Sequence, residues 1–317
     1  MARRNYGPQA PKPYRFVEIE PLTSGDRRAP KGHEQYHAGT VSGRLEATLG
    51  VATPLHVSSG RMRMREGEDP PLVRELTRVN GQPCVPASTL KGIVRSVTEA
   101  ITRSCVRITR VRTNQLPNGT ASCRNEKNLC LACRMFGSLG FEGHVRFDDA
   151  VLQEGRVGIA RMPALYAPRK RTRAYFDGSE VKGRKFYRHG QPVTRANTPV
   201  EVLMPESRLT FTIRFENLMP GEVGVLLTAL GLGEPQLVLK LGGGKPACYG
   251  SAVVALRELQ VWQDPQTLYA DYDIERAVES PGHYLEAAKD LLLANPLQRL
   301  AEIWTYDMGR QCPEGNY

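Results

Sequence analysis

Cys84–Val85–Pro86–Ala87–Ser88–Thr89–Leu90–Lys91–Gly92–Ile93–Val94–Arg95 is the stretch on which the reading of this chain turns. Pro86 closes an extended run, and Ser88 is a residue type that caps helix N-termini. Leu90, Ile93, Val94, Val97 and Ile101 recur at helical spacing, which predicts a helix from Ser88 to about Ile101 with that face turned inward. Lys91 and Arg95 stand four apart and therefore side by side. A lysine in the first turn opposes the helix dipole at a cost of roughly a few tenths of a kcal/mol. Free backbone N–H groups beside two cations make a seat for a phosphate. The plainer alternative is an amphipathic helix whose basic residues are simply solvated.

Working outward, the chain has 317 residues, enough to bury a substantial core as one elaborated domain or two small ones. Lys and Arg number 43 against 33 Asp and Glu, a net charge of +10. That excess favours a polyanionic partner, nucleic acid before membrane, since no long apolar segment or basic amphipathic anchor is present. The first fifteen residues are polar and basic without the apolar core of a signal peptide, so a cytoplasmic location is expected. In that reducing compartment the seven cysteines read as metal ligands and buried thiols rather than disulfides.

Residues 1–42 read as an extended arm, with Phe16 and Val17 able to dock it, and the ordered fold is expected to begin at Gly43. Leu45, Ala47, Leu49 and Val51 then alternate with polar residues as in a half-buried strand. His144–Leu152 and Arg208–Glu216 read as strands, Glu222–Leu230 as a helix, and Gly250–Trp262 as a last strand. The order strand, helix, strand, strand, helix, strand is that of an α+β, ferredoxin-like or RRM-type domain over residues 43–262. An insert at residues 153–205 interrupts it. Arg161, Arg169, Lys170, Arg171, Arg173, Lys182, Arg184, Lys185, Arg188 and Arg195 give it a strong basic excess, and Tyr166, Tyr175, Phe176, Phe186 and Tyr187 are interleaved. Cations that track phosphates beside aromatics that stack on bases suit single-stranded RNA; a long solvated loop is the alternative. Residues 263–317 form an extension in which Tyr284–Leu293 and Leu297–Trp304 read as short helices of no evident function.

Cys105, Cys123, Cys130 and Cys133 follow a C-x17-C-x6-C-x2-C pattern in the segment 105–133. The closing Cys–Leu–Ala–Cys can take two corners of a zinc tetrahedron, and the other two cysteines can complete it. Four sulfurs leave no open position for water, so such a zinc is structural, pinning a connection without a core of its own. His144 is an alternative to one of the cysteines. Cys84, Cys248 and Cys312 are read as core or surface thiols.

Several separated motifs carry a resemblance. Pro86–Ala87–Ser88–Thr89–Leu90–Lys91–Gly92–Ile93–Val94–Arg95 resembles the PGSSLKGxxR signature of the RAMP superfamily of CRISPR-associated proteins, with Ala87 in place of the usual glycine. Thr53–Pro54–Leu55–His56–Val57 resembles the T-x-L-H-I-G strand end of that family, with Ser58–Ser59 for its Gly–Gly. Leu129–Ser138 resembles its LCxxCRLFGS element, and Gly242–Gly243–Gly244–Lys245 with Tyr249–Gly250 its glycine-rich loop. Within the superfamily the chain looks most like the backbone subunit of type III effector complexes, of a III-D-like or III-E-like branch.

That resemblance implies a palm that binds guide RNA, a thumb that kinks it, and stacking with other effector subunits and with copies of itself. The palm contacts implied are Ser88, Lys91, Arg95, Gly243, Gly244 and Lys245; the thumb contacts are Arg184, Lys185, Phe186 and Tyr187 of the insert. It also implies a catalytic aspartate just before a D-x-P-V turn. Glu68–Asp69–Pro70–Pro71–Leu72–Val73 occupies that place and selects Asp69. A carboxylate can accept a 2′-OH proton or hold a magnesium or manganese ion against the scissile phosphate of a target RNA. Arg61, Arg63 and Arg65 are placed to steady the developing charge. Two alternatives stand beside this expectation: a structural RNA-binding subunit that does not cut, and a metal-independent guide-processing ribonuclease working through histidines. His33, His37, His56, His144, His189 and His283 form no close pair in sequence.

Overall fold

The computed structural model describes residues 13–107, 109, 111–163, 165, 173–194, 196–262 and 276–313. Tyr166, Arg169, Lys170, Arg171 and Arg195 of the basic insert lie outside the described residues. The alternating run after residue 40 forms the strand Val41–Val51, with Leu45, Ala47, Leu49 and Val51 buried on one face. It pairs antiparallel with Ser251–Trp262 on one side and Arg208–Leu218 on the other, and Ala150–Glu154 pairs with Arg208–Leu218. Taken along the chain, these four strands stand in the order fourth, first, third, second within a nine-stranded sheet.

Helix α1, Ala87–Ile101, follows the first of these strands and helix α3, Pro220–Ala229, follows the third. Leu90, Ile93, Val94, Val97 and Ile101 are buried, as their spacing predicts. Three further helices complete the described set: α2 (Leu131–Phe136), α4 (Gly282–Ala287) and α5 (Ala294–Ile303), and α1 packs on α2, α3 and α5.

Two local expectations are corrected. The helix cap is Pro86, whose carbonyl accepts from Thr89 (2.8 Å) and Leu90 (3.2 Å), while Ser88 is exposed and makes no capping bond. The Ala87 N–H instead donates to Asp149 Oδ1 at 2.7 Å. That bond also accounts for the second correction. His144–Leu152 is not continuous but breaks into Val145–Phe147 and Ala150–Glu154, because Asp149 leaves the ladder to meet the helix.

The ordered chain also begins well before Gly43. Tyr14–Val17 pairs with Arg184–Tyr187, Val17 is fully buried, and Arg27–Arg28 pairs with Leu129–Cys130. Asn217 ties down the part between: its Nδ2 donates to Gly32 O (3.2 Å) and Gln35 O (2.9 Å), and its Oδ1 accepts from His37 N (2.9 Å).

The ends of the insert join the hairpin that precedes α1. Val157–Met162, Thr198–Leu203, Leu72–Leu76 and Ser58–Met64 form a second, four-stranded sheet in that order, with one parallel pairing between its middle strands. Glu201 is fully buried within it. Its carboxylate accepts from Arg65 Nη2 (2.6 Å), Arg78 Nη1 (2.8 Å) and the Leu76 N–H (3.1 Å). Burial pushes this carboxyl up, but the bonds from Arg78, Leu76 and Arg65 outweigh it and hold the group below its ordinary pKa. Glu201→Ala leaves the buried Leu76 N–H without an acceptor and takes a carboxylate from both Arg65 and Arg78, and is expected to lower unfolding free energy by about 3 kcal/mol, read by chemical denaturation.

Candidate nucleic-acid interface and metal centre

The four spaced cysteines converge. All are buried, and their sulfurs lie within 4.8 Å of one another, with Cys105 Sγ 3.6 Å from Cys133 Sγ. A tetrahedral ion bound at ~2.3 Å sets its sulfur ligands about 3.8 Å apart, so the set fits a metal such as zinc. The backbone N–H groups of Cys105 and Cys130 donate to Cys130 Sγ and Cys123 Sγ, each at 3.4 Å, and Arg95 Nη2 donates to Cys133 Sγ at 3.2 Å. Such donors favour thiolates. As free thiols, hydrogen bonds among the four split their acidities, Cys105 and Cys133 upward and Cys123 and Cys130 downward. Zinc would bind all four as thiolates and hold the 105–133 connection together. His144 is not among these ligands: its Nε2 donates to Lys31 O at 3.1 Å, and its ring lies 4.5 Å from that of His33.

Two of the predicted RNA contacts serve this centre instead. Arg95 spends its guanidinium on Glu99 Oε1 (2.8 Å), Gly137 O (2.7 Å) and Cys133 Sγ. Arg184 bridges to Glu99 Oε2 (2.7 Å) and donates to Cys105 O (2.9 Å). Phe186 is buried edge-on against Trp304, with ring centroids 5.3 Å apart. Lys185 lies over the rings of Tyr14, Tyr175 and Tyr187 at 5.0, 5.2 and 4.9 Å, and donates to Tyr187 Oη at 3.1 Å. The run 184–187 is thus the partner of the N-terminal strand, and its cations are occupied by protein groups.

Lys91 keeps its freedom. It makes no hydrogen bond or ion pair among the described residues. Burial, then Arg95, pulls its pKa down, with Arg146 and Arg107 adding to the effect and Glu142 opposing it. A half-buried ammonium amid guanidinium groups is short of negative charge.

The glycine-rich loop meets the Thr53–Val57 motif. Gly243 N–H donates to His56 O (2.7 Å) and Gly250 N–H to Pro54 O (3.0 Å). His56 Nδ1 donates in turn to Glu201 O at 2.6 Å. Gly242, Gly244 and Gly250 have φ of 75°, 70° and 82°, and a Cβ on Gly250 would collide with Leu241 O, so the turn demands glycine. Burial holds Lys245 below its ordinary pKa, and its ammonium has no partner among the described residues, while its carbonyl accepts from Cys248 N at 3.1 Å. Beneath the loop, buried Lys240 donates to Cys248 O (3.0 Å) and Ser251 Oγ (3.1 Å), and burial pulls it down to about 7. His189 shares Ser251 Oγ at 2.7 Å and is pulled down to about 3 by burial and then by Lys240.

Cys248 and Cys312 correct the expectation of free thiols. They form a disulfide (Cα–Cα 5.9 Å) that fastens the C-terminal segment to this loop. Cys84 is a buried free thiol, as expected.

Asp69 lies at the exposed tip of the hairpin formed by Ser58–Met64 and Leu72–Leu76. Its carboxylate has no partner among the described residues, while its carbonyl accepts from Arg161 Nη1 at 2.6 Å and Glu68 pairs with Arg161 Nη2 at 3.3 Å. Arg161 O accepts from Tyr249 Oη (3.1 Å), which links the tip to the glycine-rich loop. Of the three upstream arginines, Arg63 is spent on Glu75 and Arg65 on Glu201, leaving Arg61. Sequence reasoning missed Glu201, Glu99 and the His33–His144 pair. Glu201 and the histidine pair belong to no local motif, whereas Glu99 stands four residues after Arg95 on the same helix, a spacing that signals the ion pair but not the bridge to Arg184.

With this geometry in hand, a sequence profile described as the RAMP superfamily matches residues 48–253, well over half of the chain. The chain belongs to the RAMP superfamily, whose CRISPR-associated members bind CRISPR RNA and other effector subunits. No curated protein matches it significantly. No described helix is long and apolar enough to cross a membrane.

Two measurements follow from these sites. Metal analysis of the purified chain is expected to find about one zinc per chain, with Cys130→Ser losing both the metal and several degrees of thermal stability. The pH effect of His189 has a definite sign. Its folded pKa of about 3 lies below the ordinary 6.5, so the unfolded chain binds more protons between those values. His56 and His144 are lowered in the same direction. Unfolding free energy should therefore fall as pH drops from about 6.5 toward 3, and less steeply in His189→Gln.

Proposed function

We propose that this chain is a guide-RNA-binding backbone subunit of a type III CRISPR effector complex, III-D-like or III-E-like, that cuts the paired target RNA at Asp69. The observation that carries this reading is the free Asp69 carboxylate on a hairpin tip tied to the glycine-rich loop through Arg161 and Tyr249. The palm would be the ferredoxin-like domain of residues 43–262, with Lys91, Ser88 and the Gly243–Lys245 loop against the guide backbone. Arg95 leaves the list of contacts because its donors are spent beside Cys133. The thumb role moves from Arg184–Tyr187 to the second sheet, whose hairpin exposes Met62, Met64 and Leu72 to a neighbouring subunit or copy.

At the tip, Asp69 would accept the 2′-OH proton or orient the scissile phosphate; attack of the 2′-oxygen on phosphorus would break the P–O5′ bond, leaving a 2′,3′-cyclic phosphate on one fragment and, once water protonates the departing oxygen, a 5′-hydroxyl on the other. A magnesium or manganese ion bound there would neutralise charge on the phosphate oxygens. Arg61, and Arg74 on the facing strand, are the hairpin cations with no acid partner among the described residues and are able to face that charge.

A second reading, a subunit that binds without cutting, is supported by Ser58 and Ser59. Their hydroxyls accept from Gly60 N (3.1 Å) and Arg61 N (3.2 Å), which stiffens the strand where the family has Gly–Gly. The histidine mechanism has less support: His33 and His144 are close, but each spends a ring N–H on a backbone carbonyl.

Complexes carrying Asp69→Ala should bind guide and target normally but cleave about a hundredfold more slowly or not at all. Undiminished cleavage rejects the Asp69 assignment, and a wild type that protects target without cutting, in magnesium or manganese, establishes the second reading. Lys91→Gln should weaken guide binding while leaving the metal content unchanged.

A further inference from the structure

The C-terminal segment and the N-terminal strand meet the insert at a place that none of the motifs reaches. Arg188 N–H donates to Pro13 O (2.8 Å), and Arg15 stands opposite Phe186 in the same antiparallel pair. Alternation puts Arg15, Phe186 and Arg188 on one face. Phe186 packs there on Trp304, whose Nε1 donates to Tyr187 O (3.1 Å), so that face is turned toward α5 and the residues after it. Arg299 comes from α5, and Arg310 donates to His189 O at 3.1 Å. Four guanidinium groups from three separate parts of the chain are thereby gathered at one seam.

The counter-charges are unevenly placed: Glu18, Glu20, Asp177 and Glu180 line the cavity that Arg15 and Arg299 share, but none of them pairs with Arg15 or Arg188 among the described residues. Arg299 pairs with Glu302 (3.0 Å) and Arg310 with Asp307 (3.6 Å). Arg15 has only the adjacent Tyr14 O, and half-buried Arg188 has no side-chain partner among the described residues. Burial, then Arg310 and Arg15, pull Arg188 below its ordinary pKa; Arg299 adds to this and Asp307 alone opposes it. Gathering like charges around a partly desolvated arginine is unfavourable unless an anion completes the site. The planar fork of arginine matches the oxygens of a phosphate.

The surroundings favour a strand over a single ion. Tyr306, 40 % exposed, presents a ring on the same segment, 5.8 Å from that of His189, and its Oη donates to Ala52 O at 3.4 Å beside the Thr53–Val57 motif. Through Cys312 the segment is also bonded to the glycine-rich loop. Unpaired cations near an exposed aromatic suit a single-stranded nucleic acid. We propose that Arg15 and Arg188 form a binding site for the phosphodiester backbone of a single RNA strand, with the carboxylate-paired Arg299 and Arg310 beside them and Tyr306 as a stacking platform. The site rests on the RNA-binding reading above, and joins Arg188 to residues on either side of the stretch that the family profile covers.

The test is fluorescence anisotropy of the full chain with a labelled single-stranded RNA over a salt series. Arg15→Gln with Arg188→Gln should weaken binding about tenfold or more and flatten the slope of log affinity against log salt by about 1.4, two contacts at about 0.7 each. Arg15→Lys with Arg188→Lys should restore the slope. Photocrosslinking of wild type to 4-thiouridine RNA, which does not depend on any variant folding, should label the peptide containing Tyr306. Wild-type affinity and slope in the double glutamine variant, or no crosslink at that peptide, overturns this site. If Lys91→Gln still weakens binding in the same assay, the broader reading survives. A wild type that binds no RNA overturns both.

Discussion

The buried carboxylate of Glu201 is the interaction on which the arrangement of the second sheet depends. It reaches the hairpin through Arg65, the approach to α1 through Arg78 and the Leu76 N–H, and its own carbonyl holds His56. His56 in turn holds Gly243. Three points between His56 and Arg78, and through His56 the distant Gly243, thus depend on one buried residue, and Asp69 stands four residues beyond Arg65 on the piece it anchors. A charge in the interior is tolerated only when its partners are complete. The same completeness that keeps Glu201 ionised therefore fixes where the hairpin tip projects.

The cysteine centre works by a related logic at the other side of α1. Glu99 joins Arg95 and Arg184, and those arginines reach the sulfur of Cys133 and the carbonyl of Cys105. A zinc bound by four thiolates carries a net negative charge, which adjacent guanidinium groups offset. Helix α1, the cysteine-bearing connection and the strand Arg184–Tyr187 are consequently one electrostatic unit. Lys91, one turn before Arg95 on the same helix, is left with no such partner and remains available to a phosphate.

Much of the scaffold was legible in the chain. The inward faces of Val41–Val51, α1 and Arg208–Leu218 follow directly from their apolar periods, since burial of one face is what those periods encode. The four cysteines were legible by spacing, because a metal needs donors and imposes few demands on what lies between them. The roles of Arg95, Arg184, Lys185 and Phe186 were not. A basic, aromatic run has the same composition whether it faces RNA or packs against another strand, and only the pairing with Tyr14–Val17 separates the two. The Ser88 cap failed for a similar reason: Asp149, sixty-two residues from Ala87, arrived first.

By itself, then, the sequence determined the order of the palm strands and helices, the set of four cysteines and the family signatures, all of which are written in local period and short spacing. Tertiary structure alone decided which cations are free. A guanidinium is silenced when a distant carboxylate, carbonyl or thiolate comes within hydrogen-bond reach, as Glu201, Glu99 and Cys133 do for Arg65, Arg184 and Arg95. It is left exposed to an anion where no such group arrives, as at Arg188. Those encounters depend on strand pairing across the whole chain, and no window of sequence contains both partners.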